Sequence, residues 1–187
     1  MTNPDFHIPE DPLTNLIEIG IKHGIRVTID NHAYAATIQL IYSGMDTMAF
    51  LGMPSNQEDV TRKDFVAWVD RYIDFETDVQ PNGMDFYGAR CSMLHTHGVV
   101  SRLNRQGECR KIVYVATDPR RVMYNPVIDP DVFLLSIESL RMAFFSGLDR
   151  FLVDLFSDPI RIEQPQPNPA CNGLQTRFVE TEVINLA

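Results

Sequence analysis

The sequence predicts an all-α fold, a helical bundle of about five helices with a small β-hairpin inserted before the last long helix. Apolar residues recur at helical spacing over several long stretches, and segments rich in glycine, proline and asparagine separate them. Two short extended runs flank Gly107 at about residues 99–116, which predicts the hairpin. The chain has 187 residues, 44% of them apolar, enough for one domain. We predict a single domain over residues 1–158, followed by a proline-rich linker and C-terminal tail over residues 159–187.

The first part of the chain predicts two helices separated by an extended run. Residues 13–23 have helical spacing, and Gly24 can end that helix. The β-branched residues in 25–29 favour an extended run. The strongest helix covers residues 32–52, and its apolar stripe consists of Tyr34, Ile38, Ile41, Met45, Met48 and Ala49.

Three further helices follow. One begins at Thr61, because Thr61 and Asp64 have the spacing of a capping box. The next runs from about residue 85 to residue 95 or 97, and Gly98 is placed to cap its C-terminus. The last and longest covers residues 131–157, where a wide apolar face suits either a core or an interface.

Composition and charge narrow the function classes. The net charge of −9 and the pI near 4.9 argue against binding of nucleic acid over a broad surface, although a local basic site is compatible with them. The three cysteines have no C-x-x-C spacing, which argues against a disulfide framework or a structural zinc site. The chain opens without a secretory pattern and has no apolar run of about 18 residues. We therefore expect a cytoplasmic protein with no membrane segment.

The segment "DFYGARCSMLHTHG", residues 85–98, places an arginine, a cysteine and two histidines within eight residues. The simplest interpretation is a polar helix end, in which Tyr87 and Cys91 pack inward and Arg90 meets solvent or a carboxylate. Histidines near a helix C-terminus gain from the partial negative charge of the last carbonyl groups. A polar helix end explains each residue of the segment when that residue is considered by itself.

Metal and thiol chemistry fit the segment less well. His95 and His97 are two residues apart and diverge by about 200° on a helix, and no nearby pair completes four ligands. Cys91 and His95 are four apart and can touch, but the apolar neighbours of Cys91 should raise the pKa of its thiol. We therefore expect neither a metal nor another cofactor.

An Arg90–His95 pair acting on RNA phosphate is the sharper hypothesis. The guanidinium is a planar fork that matches phosphate oxygens, and a histidine can take a proton near neutral pH. His95 would remove the proton of a ribose 2′-hydroxyl, and Arg90 would stabilise the charge that develops on the phosphate. The two residues are about 140° apart on a continuous helix. Either the helix unwinds before His95, or two protomers combine to form the site.

The motif "ARCSMLH" resembles the Arg-x4-6-His signature of the HEPN superfamily of helical domains. More narrowly, residues 32–115 are similar to an uncharacterised group of bacterial proteins. The superfamily resemblance implies a metal-independent ribonuclease with Arg90 and His95 as the catalytic pair. It also implies a homodimer and, as in toxin–antitoxin systems, a protein antitoxin as partner. Active members commonly have a polar residue where this chain has Cys91, so a non-catalytic module that binds a protein or nucleotide is the alternative.

Several further residues are candidates to support this site. Asp46 is the one acid in an apolar helix, and we predict that it approaches Arg90 and orients it. Tyr87 lies one turn before Arg90 and can bind phosphate or stack on a base, or belong to the core. His97 is a further supporting candidate, and Trp68 is a core or interface anchor. Basic residues follow the motif as a possible RNA contact, a solvated face or a surface for an acidic partner; these are Arg102, Arg105, Arg110 and Lys111, joined by Arg120 and Arg121.

Overall fold

The chain is mostly helical, with a small three-stranded sheet before the last helix. A computed structural model describes residues 12–54, 57–96, 98, 100–116 and 122–157, without the side chains of residues 12, 95 and 96. The elements in chain order are α1 (Pro12–Asn15), a π-helical segment (Leu16–Lys22), α2 (His23–Asp30), α3 (Tyr34–Gly52), α4 (Arg62–Tyr72), α5 (Gly83–Thr96), α6 (Arg102–Arg105), β1 (Lys111–Val115), β2 (Val122–Tyr124), β3 (Val132–Ser136) and α7 (Ile137–Ser157).

The first helical stretch is longer than the sequence predicts. Residues 25–29 were expected to be extended, but they belong to α2, and Gly24 does not end the helix. The side chain of Ile25 is fully buried in the core. The hydroxyl of Thr28 donates to the carbonyl oxygen of Gly24 at 3.0 Å, which suits helical backbone. Packing of one apolar face therefore outweighs the preference of β-branched residues for strands.

The predictions for α3 and α4 are confirmed. The predicted helix over 32–52 is present as α3, although it begins two residues later because His32 has a positive φ of 57°. At the start of α4, the backbone N–H of Thr61 donates to the Asp64 carboxylate at 2.7 Å. The Thr61 hydroxyl also donates to this carboxylate, and these bonds lower the pKa of Asp64.

The predicted hairpin at residues 99–116 is wrong. Its first half contains the one-turn helix α6, which begins with reciprocal hydrogen bonds between Ser101 and Asn104. Its second half is β1, which pairs in parallel with β3, while β2 pairs with β3 in antiparallel fashion. The strand order is β1-β3-β2. The fold is therefore not purely all-α.

The sheet also shortens the last helix. The predicted helix over residues 131–157 begins at Ile137, because residues 132–136, all apolar except Ser136, form the central strand of the sheet. An apolar run of this length is compatible with a helix or a buried strand, and strand pairing on both edges decides between them. In the described residues, no helix has both the length and the apolar character needed to cross a membrane. The predicted tail, residues 159–187, and the lead-in up to residue 11 lie outside the described residues.

The core lies between α3, α4, α5 and α7. Trp68 of α4 packs edge-on against Phe144 and Phe151 of α7, with ring centroids 6.2 and 6.0 Å apart. The hydroxyl groups of Tyr42 and Tyr114 form a hydrogen bond that joins α3 to β1. Burial raises the pKa of both tyrosines. The sheet and the bundle therefore share one interior.

Close contact between α4 and α7 requires glycine at position 147. A Cβ there would lie 2.6 Å from the carbonyl oxygen of Tyr72. We expect Gly147→Ala to lower the free energy of unfolding by about 1–3 kcal/mol, because backbone must move to admit the methyl group. Urea denaturation measures this change. Gly20→Ala is the matched control, since its nearest neighbour is 3.8 Å away, and its stability should stay equal or rise. Equal effects of the two substitutions would contradict the close approach.

Candidate functional site

The helix that carries the Arg-x4-His motif is anchored at its first turn. Asn82 and Asp85 exchange hydrogen bonds, each side chain accepting from the backbone N–H of the other at 3.0 Å. The backbone N–H of Gly83 donates to Asp70 of α4 at 2.6 Å. A Cβ at Gly83 would lie 2.5 Å from the carbonyl oxygen of Val66, so only glycine lets α5 begin this close to α4.

Asp85 also binds the segment that leads into β1. Its carboxylate is almost fully buried and accepts from the Arg110 backbone N–H at 2.7 Å and from Nη2 of the Arg110 side chain at 2.7 Å. The guanidinium lies over the rings of Phe133 and Tyr124, 4.5 and 5.6 Å from their centroids. Burial lowers the pKa of Arg110, but its bonds to Asp85 outweigh this and the pKa rises. Arg110 is therefore a partly buried cation that is held by its ion pair with the buried Asp85.

Arg90 and Asp46 form the predicted contact. Nε and Nη2 of Arg90 both donate to Oδ2 of Asp46, at 2.9 and 2.8 Å. The pair is partly buried, with 24% of the Arg90 side chain and 25% of the Asp46 side chain exposed. Burial lowers the pKa of Arg90, but the hydrogen bonds and negative charge of Asp46 raise it by more. The contact itself is confirmed, while the catalytic role of Arg90 stays a prediction.

Tyr87 lies beside this pair. Its ring is 5.8 Å from the Arg90 guanidinium and 6.0 Å from that of Arg62, and it packs edge-on against Phe65 at 5.6 Å. Burial and the nearby Cys91 raise the pKa of Tyr87, and the two arginines partly offset this. Tyr87 therefore contacts both the core, through Phe65, and the Arg90–Asp46 pair.

The backbone settles one question about His95. Helix α5 continues through Thr96, and the N–H of Gly98 donates to the carbonyl oxygen of Ser92 at 3.3 Å. The helix does not unwind before His95, so positions 90 and 95 are about 140° apart around one axis. The side chain of His95 and all of His97 lie outside the described residues.

The remaining predicted basic residues divide between two environments. Arg102 and Arg105 are exposed on α6, where Nε of Arg102 donates to Gln106 at 3.3 Å. Lys111 is partly buried at the start of β1. Arg120 and Arg121 lie outside the described residues. Contact of these residues with RNA stays a prediction.

Two features of the site were not predicted from the sequence, the Asp85 cap and the packing of Cys109. Asp85 has the capping spacing with Asn82, three residues before it, which is a readable signal. Cys109 packs against Gly88 so closely that a side chain at Gly88 would overlap with its sulfur atom, and no local pattern predicts this. Burial, with the negative charge of Asp85, raises the pKa of Cys109 to about 11. Cys109 is therefore a protonated packing residue.

The Arg90–Asp46 pair should stabilise the fold modestly. A double-mutant cycle with Arg90→Ala and Asp46→Ala should give a coupling energy of about 1 kcal/mol in urea denaturation, since two hydrogen bonds join the pair and it is partly buried. Arg62 and Glu108, 3.5 Å apart and half exposed, form the control pair and should couple by less than about 0.5 kcal/mol. Equal coupling in the two cycles would show that Asp46 does not hold Arg90.

Within the described residues, no three histidine, cysteine, aspartate or glutamate side chains come together as a metal site. Comparison with protein-family models, curated proteins and solved structures found no match for this chain. The case for a function therefore comes from the geometry of Arg90, Asp46 and Tyr87 together with the motif resemblance.

Proposed function

We propose that this chain is a metal-independent endoribonuclease of HEPN type that acts as a homodimer. The observation that carries the proposal is a partly exposed arginine whose orientation is fixed by Asp46 and by the ring of Tyr87. A guanidinium held in place loses little freedom when it binds phosphate, which favours transition-state stabilisation.

Each protein group has a defined part in the proposed reaction. His95 takes the proton of the 2′-hydroxyl, and the 2′ oxygen attacks the adjacent phosphorus atom. Arg90 stabilises the additional negative charge on the phosphate oxygens. The bond from phosphorus to the 5′ oxygen breaks, and that oxygen takes a proton from solvent while His95 returns its proton to solvent. The products are a 2′,3′-cyclic phosphate and a 5′-hydroxyl end, and only RNA can react.

Asp46 acts as a positioning residue in this scheme. One carboxylate oxygen, Oδ2, accepts from both Nε and Nη2 of Arg90, and Nη1 is the donor that we assign to the phosphate. Tyr87 offers its ring face beside the guanidinium, where a base can stack. Because positions 90 and 95 are about 140° apart on one continuous helix, the proposed site combines Arg90 of one copy with His95 of a second copy.

A non-catalytic helical module is the second candidate. Asp46 neutralises Arg90, and the pair joins α3 to α5, as a purely structural contact also would. In that case the chain binds a protein or nucleotide partner. The motif resemblance suggests a protein antitoxin as a partner in either case.

RNA cleavage by the purified protein in EDTA distinguishes the two candidates. Wild type should cleave and leave 2′,3′-cyclic phosphate ends, while Arg90→Ala and His95→Ala should lose at least about 100-fold in rate. Arg141→Ala is the matched control, because Arg141 forms a similarly buried ion pair with Glu138 on α7, with side-chain exposures of 23% and 33%. It should retain wild-type activity. Cleavage by none of the proteins, or equal cleavage by all of them, would favour the binding module.

Mixing the two inactive variants tests the use of two copies. A mixed dimer of Arg90→Ala and His95→Ala contains one intact composite site if the residues act across the interface. Activity should therefore return in the mixture after subunit exchange. A mixture that stays inactive while its subunits exchange would contradict the composite site.

A further inference from the structure

The ring of Tyr87 lies beside a second arginine as well as Arg90. Arg62, the first residue of α4, has its guanidinium carbon 6.0 Å from the centre of this ring, and the guanidinium carbon of Arg90 is 5.8 Å from it. The two guanidinium groups are therefore at most about 12 Å apart, the length of about three stacked nucleotides of one strand. Two cations from different helices thus lie within reach of neighbouring phosphates.

The fields of the two arginines overlap at the Tyr87 hydroxyl. Burial and the nearby Cys91 raise the pKa of Tyr87, but the positive charges of Arg90 and Arg62 each lower it. An anion bound beside this tyrosine would be attracted by both charges. In a chain with a net charge of −9, such a local pair of cations is a site where a phosphate can bind.

Arg62 is available to a ligand. Its side chain is 50% exposed, and its Nη1 lies 3.5 Å from Oε2 of Glu108, which is itself 45% exposed. An exposed ion pair with one long contact contributes little to stability. Arg62 can therefore exchange Glu108 for a phosphate at little cost to the fold.

The position of Arg62 connects the Arg90 site to α6. Glu108 lies in the turn after α6, where its backbone N–H donates to the carbonyl oxygen of Leu103 at 3.0 Å. Helix α6 carries the exposed Arg102 and Arg105. Because Arg62 contacts both Tyr87 and the turn after α6, a strand that leaves Arg90 in this direction meets Arg62 next.

We propose that Arg62 is a second phosphate contact of the candidate site, which holds a neighbouring phosphate of the same RNA strand while Arg90 engages the reacting one. This inference rests on the proposed function, because it takes RNA as the ligand of Arg90. Arg62 acts in it as a binding residue and takes no part in the proton transfers.

Binding of a 2′-fluoro RNA oligonucleotide tests the contact, because this strand has no 2′-hydroxyl nucleophile and is not cleaved. Its affinity for the full chain is measured by fluorescence anisotropy over a salt series. On a single strand, each phosphate contact contributes about 0.7 to the slope of log K against log salt. Arg62→Ala should reduce the slope by about this amount and weaken binding at least about 5-fold. Arg62→Lys should keep the slope, since an ammonium also binds phosphate.

Arg71→Ala is the matched control for the loss of an exposed arginine. Arg71 is also on α4, is 67% exposed, pairs with Asp154 and lies 5.2 Å from the centre of the Tyr72 ring. Its replacement should leave the affinity and the salt slope unchanged. Glu108→Gln should strengthen binding by about 2- to 5-fold, because it removes the carboxylate that competes for Arg62.

Cleavage kinetics separate this contact from the proposed reaction. Arg62→Ala should raise KM at least about 5-fold and leave kcat nearly unchanged, whereas Arg90→Ala should lower kcat. If no RNA is cleaved while binding still depends on Arg62, the contact stands and the ribonuclease proposal fails. No binding by wild type, equal binding by wild type and Arg62→Ala, or an equal loss in Arg71→Ala would overturn the contact.

Discussion

The position of the candidate site depends on the hydrogen bonds and the ion pair that the buried carboxylate of Asp85 forms. It caps α5 through Asn82 and binds both the backbone and the side chain of Arg110. Helix α5, which carries Arg90, and strand β1 therefore both begin beside the Asp85 carboxylate. Loss of this carboxylate would leave the Arg110 guanidinium against Phe133 with no counter-charge, which costs several kcal/mol in comparable buried pairs.

The other residues of the candidate site lie along α5, beyond Asp85. One and a half turns along α5, Arg90 reaches Asp46 of α3, and between these points Tyr87 packs against Phe65 of α4. Three helices thus fix the direction of one guanidinium while a quarter of its side chain stays exposed. Such rigidity suits a group that stabilises charge during a reaction, and it also suits a structural ion pair. The proposed reaction uses a second copy of the chain, which supplies His95.

Local patterns in the sequence predicted the elements that are stabilised locally. The stripe of α3, the Thr61–Asp64 cap and the Asp46–Arg90 contact follow from spacing and from the cost of burying an unpaired charge. The sheet could not be predicted in this way, because β1 pairs with β3 about twenty residues later in the sequence. The sequence of residues 132–136 is compatible with a helix or with a buried strand. Only its pairing with β1 and β2 makes it a strand. In α2, burial of Ile25 against the bundle outweighs the β-branched composition around it.

The most direct test of this account is amide hydrogen exchange of Asp85→Asn, measured beside wild type and the exposed-loop control Asp78→Asn. We expect the first turn of α5 and the amides of β1 to lose protection together, with a loss of about 3 kcal/mol in the free energy of unfolding. Asp78→Asn should leave both segments protected. Unchanged protection of α5 and β1 in Asp85→Asn would contradict the claim that one carboxylate holds the site helix to the sheet.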